Sequence, residues 1–178
     1  MSESMKESRG EITQEVVNKL IGLMEDVIGK SAVGIVLKQL PEGEHSPGPD
    51  LVLQFAEETQ NLLGNAGAFA VLRQVGRDLA KNVAANLPPE RWQQALEESL
   101  NEFGFADSIS KEEEDASINN CVFFPILEER QIEPTGHAVC WAGWGFIEGF
   151  VKVMGEAKGI KWVGRDIANK SCKFAYLR

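Results

Sequence analysis

Between His137 and Met154 the chain reads HAVCWAGWGFIEGFVKVM, and its spacing predicts a helix with large apolar groups on nearly all sides. A helix with one buried stripe leaves its opposite face polar. Here Cys140, Trp144, Ile147, Val151 and Met154 form one stripe, while Trp141, Phe146 and Phe150 lie beyond it. The most apolar stretch, from Ala138, is interrupted by Glu148 and Lys152 and is too short to span a bilayer unassisted. The excess apolar surface therefore has to be covered by the rest of the chain, by a ligand or by a partner subunit. Gly145 and Gly149 share one face, where the missing side chains let another helix, a sheet or a ligand approach the backbone.

The remainder must supply that cover, and 178 residues suffice for one full hydrophobic core plus a terminal extension. Residues 1–10, polar and rich in Ser and Glu, read as a disordered tail, leaving 11–178 as a single domain. Ile12, Val16, Leu20, Leu23 and Val27 recur at helical steps between Glu11 and Ile28, and Gly29 can close that helix. Ala32 to Leu40 fits either a short strand or a second helix. Pro41 to Pro49 reads as a surface loop carrying His45. Two helices are predicted over Asp50–Gln60 and Asn65–Leu87, the second with Arg73, Arg77 and Lys81 along a face away from its apolar stripe. Pro88-Pro89 ends it, and a short helix through Trp92, Leu96 and Leu100 follows.

The stretch from Gly104 through the run Lys111 to Asp115 reads as a solvated connection, and Ile118 to Leu127 as a strand, with Pro125 confining it to an edge or an end. Thr135 offers a cap for the aromatic helix. Ile160–Val163 and Cys172–Leu177 read as two strands around a turn at Ala168-Asn169-Lys170.

Charge narrows the function. With 18 Lys and Arg against 27 Asp and Glu the chain carries a net charge of −9, and no basic cluster exceeds two residues, which disfavours nucleic acid and anionic membrane surfaces. No apolar stretch follows a basic tip at the start, so no export signal is expected, and the three cysteines are read as reduced thiols of a cytoplasmic protein without a membrane span. Gly29-Lys30-Ser31 lacks the glycine that a phosphate loop places five residues earlier, where Met24 stands. The glycines at 143, 145 and 149 miss the dinucleotide spacing by one residue. His137 and Cys140 are the only near base–nucleophile pair, and nothing orients the histidine, so the sequence leans away from an enzyme.

Two constellations remain. Cys121 on the predicted strand, His137 and Cys140 at a helix start, and Cys172 opening the last strand could converge on zinc or an iron–sulfur cluster, although cysteine is also among the most buried residue types. The aromatic residues are the other. Phe69, Trp141, Trp144 and Phe146 are candidates to line a ligand pocket, for which a volume of about 300 Å³ or more is expected.

The segments GAFAVLRQVGRDLAKNV (67–83), HAVCWAGWGFIEGFVKVMG (137–155) and SCKF (171–174), in this order, resemble the 4-vinyl reductase domain family over roughly Ile28 to Arg178. These are small-molecule-binding domains, related to hydrocarbon-sensor domains and, in fold, to transport-particle tethering subunits. The resemblance implies an α/β (α+β) fold with an antiparallel sheet packed against several helices, a homodimer, and an apolar pocket between helices and sheet. In the sensor members a zinc site draws on the central helix and the C-terminal hairpin; Cys140 and Cys172 match two of its positions, whereas the other two fall near Lys161 and Gly164, which offer no ligand.

The leading expectation is a non-catalytic carrier, sensor or assembly factor for a hydrophobic aromatic molecule, with a tetrapyrrole as a candidate. A metal or redox module built on Cys121, Cys140 and Cys172 and a structural dimer or tether working with a protein partner are the alternatives. A vinyl-group reductase ranks last, because no nicotinamide or flavin fingerprint is visible.

Overall fold

The computed structural model describes residues 9–43 and 46–178. Helix α1, Gln14–Ile28, is capped by Thr13, whose side chain accepts from the Val16 N–H, and ends at Gly29 with φ 86°. Helix α2, Lys30–Gln39, resolves the ambiguous segment, and Val33 and Val36 are buried on one face. Helix α3, Pro49–Ala85, contains the two expected helices joined at Gly64, whose φ of 73° and ψ of 169° break the helical geometry. Helix α4, Trp92–Glu102, follows the proline pair, and Trp92 Nε1 donates to the carbonyl of Ala84 at 2.9 Å.

Strands β1, Ser108–Lys111, and β2, Asp115–Asn119, form a hairpin; helix α5 spans Phe124–Glu129 and helix α6 Ala138–Val153. Strands β3, Gly159–Asp166, and β4, Ser171–Leu177, complete a four-stranded antiparallel sheet in the order β1-β2-β4-β3. The fold is thus α+β, and helix α6 packs between α3 and the sheet. Among the described residues no helix is long and apolar enough to cross a membrane.

The glycine face of α6 meets α3. A Cβ at Gly145 would overlap the carbonyl oxygen of Arg73, and one at Gly76 would overlap that of Ala142. At Gly149 a Cβ would lie 2.7 Å from Ala80 Cβ. Of the three neighbours that the sequence allowed there, a second helix is the one found.

Four local expectations are corrected. The strand expected over 118–127 stops at Asn119, because Asn120 with φ 49° turns the chain and Pro125 sits in the first turn of α5, where its missing N–H costs nothing. Cys121 therefore lies between strand and helix rather than on a strand. The supposed connection before Asp115 contains β1, whose sequence SISK buries only Ile109 and so shows no apolar alternation. Helix α6 is capped by His137, while Thr135 belongs to a preceding 3₁₀ turn.

Within the expected tail, Gly10 N–H donates to Asn101 O at 3.0 Å and Arg9 reaches Asp107 at 3.3 Å. Residues 1–8 and His45 lie outside the described residues.

Candidate functional site

The apolar stripes of α1, α3 and α6 do not close completely. They leave a cavity of about 120 Å³ against β2, β3 and β4, walled by Met24 of α1, Leu72 and Val75 of α3, Trp144 and Phe146 of α6, and Phe174 of β4, among others. Almost all of its exposed wall is apolar, with no charged side chain among the lining residues. The volume is well short of the expected ~300 Å³ and is closer to the ~150 Å³ engineered cavity that binds benzene in another protein. As it stands it has room for about one aromatic ring, and a porphyrin macrocycle does not fit.

Of the expected aromatic residues, Trp144 and Phe146 line the cavity and Phe69 and Trp141 do not. Phe69, Trp141 and Trp144 instead stack in series, with centroid separations of 5.1 and 4.4 Å and near-parallel planes. The Arg73 guanidinium lies 4.6 Å from the Trp144 ring centroid. Trp144 Nε1 donates to Ile160 O at 3.3 Å, so the ring is oriented by the sheet as well as by the stack.

Arg73 also anchors Glu148, the one deeply buried carboxylate among the described residues. Its Nε donates to Glu148 at 2.8 Å, and Arg77 at 3.4 Å and Lys152 at 3.2 Å complete the cluster. Burial opposes the charged form of Glu148, but these cations, Arg73 first, hold its carboxyl below the usual range. The sequence showed all four residues, but Glu148 read as an interruption and the arginines as a separate face. Their convergence needed the α3–α6 crossing.

The three cysteines all line the cavity, Cys121 from the loop between β2 and α5, Cys140 from α6 and Cys172 from β4. Burial raises the Cys121 thiol to about 11 and the Cys172 thiol to about 12, and pushes Cys140 well above its ordinary value. His137 is not in that wall. Its Nδ1 accepts from Val139 N–H at 3.2 Å and its Nε2 faces Glu57 at 3.3 Å, so both ring nitrogens are engaged in closing the start of α6. Desolvation lowers its pKa below the ordinary histidine value. Among the described residues no group of three or more His, Cys, Asp or Glu side chains is placed to hold a metal ion.

Sequence reasoning missed most of the cavity wall. Leu20 reads as part of an ordinary buried stripe, and nothing in the sequence singles out Met24, Val52 and Phe55, because a helical stripe facing a void has the same period as one facing a packed core.

No family model and no curated protein matches this sequence. A solved structure described as "Modulating Heme Redox Potential Through Protein-Induced Porphyrin Distortion" shares the fold, with a TM-score of 0.51 and 14% identity over 91% of this chain and 96% of that one. The likeness extends over nearly the whole of both chains, and at that identity it is one of fold.

Proposed function

We propose that this chain is a non-catalytic binding protein for a hydrophobic aromatic small molecule, acting as a carrier, sensor or assembly factor. The observation that carries this reading is the apolar cavity between α3, α6 and the sheet, with Trp144, Phe146, Trp162 and Phe174 in its wall. Burial of one ring there is favoured at about 25 cal/mol per Å² of apolar surface. The protonated thiols contribute small apolar surfaces and no charge. A tetrapyrrole is the larger candidate, supported by a structural neighbour described for its heme and porphyrin. It requires the cavity to widen.

The test is an absorbance spectrum with native mass spectrometry on protein purified without air or chelator, followed by titration with toluene and with protoporphyrin IX. Trp144 and Trp162 face the cavity, so occupancy is expected to change tryptophan fluorescence. Bare polypeptide mass and no response to either compound would remove the reading.

A second reading, a redox module, draws on the placement of three thiols, Cys121, Cys140 and Cys172, in one cavity wall. Mass spectrometry of the same sample after mild oxidation, with and without a reductant, decides it. The homodimer implied by the family resemblance belongs to the proposal too, and the edge strand β3, exposing Val163, with Ile167 exposed in the turn that follows it, offers apolar side chains to it.

A further inference from the structure

A second apolar space lies outside the first. It is a groove of about 200 Å³ faced by Val17 and Ile21 of α1, Leu37 of α2, and Leu40 and Leu51, with Gln14 its one polar side chain. Leu20, Val52 and Phe55 line both the groove and the inner cavity, so a single layer of side chains separates the two spaces. All three are only partly buried although they sit between apolar elements, as expected for side chains with free space on both sides.

The groove stays open to solvent at Leu37, which is 38% exposed. The helix carrying it, α2, is joined to its neighbours through Gly29 at φ 86° and Gly43 at φ 138°. Neither space alone reaches the usual size of a small-molecule site, whereas the two joined reach the ~300 Å³ at its lower end.

We propose that the cavity and the groove are two parts of one binding channel, with Leu20, Val52 and Phe55 as its movable partition, and that its ligand is an aromatic ring bearing an unbranched apolar chain. The ring occupies the inner cavity, where Trp144 and Phe146 stand, and the chain passes the partition into the groove. This rests on the binding reading above and names the ligand class of the same site. Opening the partition in this proposal takes rotamer changes, about χ1 for Val52 and about χ1 and χ2 for Leu20 and Phe55, and no side chain of the three is charged or carries a hydrogen-bonding group.

The probes are 4-n-alkylbenzyl alcohols from methyl to octyl, titrated by tryptophan fluorescence into the full chain and into the groove variants Leu37→Asp and Leu40→Asp. The methyl compound fills the cavity alone and is expected to bind all three proteins equally. Beyond it, affinity for the unaltered chain is expected to climb about fourfold per added methylene, the equivalent of ~0.8 kcal/mol. The octyl compound should bind each variant at least tenfold more weakly. If the methyl compound binds and affinity stays flat along the series, or if the octyl compound is insensitive to both substitutions, the channel is overturned while the cavity reading stands. If no member binds, both fall.

Discussion

Arg73 of α3 presents its backbone carbonyl to Gly145 of α6 at a separation that leaves no room for a Cβ. Gly145→Ala therefore has to push the two helices apart. Because that crossing also carries the cavity wall and the Glu148 cluster, the expected loss is ~3 kcal/mol or more, measured by denaturant unfolding. Gly34→Ala is the control. It lies within α2 with nothing near its would-be Cβ, so it should stabilise the protein by about 0.5–1 kcal/mol.

Glu148 is almost fully buried, while Arg73 and Arg77 keep about a quarter of their side chains in solvent. Glu148→Gln should cost about 2 kcal/mol, below the ~3–5 of a fully buried pair, because both arginines can rehydrate. Its depressed pKa gives a sign. The stability it contributes is present above the unfolded carboxyl value and is lost as pH falls through the folded one, so the acid limb of unfolding should flatten in this variant.

His137 caps α6 through Nδ1 and is held neutral by burial. His137→Ala should cost about 1–2 kcal/mol by freeing the Val139 N–H and leaving Glu57 with Arg130 alone. His137→Asn keeps a capping acceptor and should recover part of that. Since the folded pKa lies below the unfolded one, stability from this residue is complete above about pH 6.5 and falls as the solution is acidified. A pH series of unfolding midpoints on the two variants checks both statements.

The thiols make the opposite prediction. With Cys121 raised to about 11 from 9, its thiolate population at neutral pH is about 100-fold below that of a free cysteine, and iodoacetamide should label it correspondingly slowly. Raised acid groups contribute stability that is present below pH 9 and is lost as pH climbs through 11 and 12 for Cys121 and Cys172. Replacing both with alanine should shift the alkaline unfolding midpoint upward relative to the parent chain.

How far the sequence carries is visible in particular elements. Helices α1, α4 and α6 announce themselves through long apolar periods, and β3 and β4 through a turn flanked by apolar runs. Strand β1 does not, because a four-residue edge strand burying one side chain has no measurable alternation. α5 was hidden behind Val122, Phe123 and Phe124, which suit a strand until Pro125 is seen as a helix-opening residue.

At the site, two of the four aromatic candidates, Trp144 and Phe146 of α6, stand in the cavity wall. Phe69 and Trp141 show the limit, since composition locates bulky rings but not which side of a neighbouring ring they occupy. The three cysteines, spread over the last third of the chain, do share one wall, yet their burial and the double engagement of His137 could be seen only once the elements were in place.

Strand β4 is inserted between β2 and β3, and β2 precedes it by the whole of α5, α6 and β3. During synthesis the β1–β2 hairpin therefore emerges with one edge of β2, from Asp115 to Asn119, unpaired until β4 leaves the ribosome. Ile118, paired with Ile109 of β1, lacks its second neighbour Cys172 for the same interval. The vulnerable moment in the life of this protein is its birth, when a neighbouring nascent chain could take the place reserved for β4.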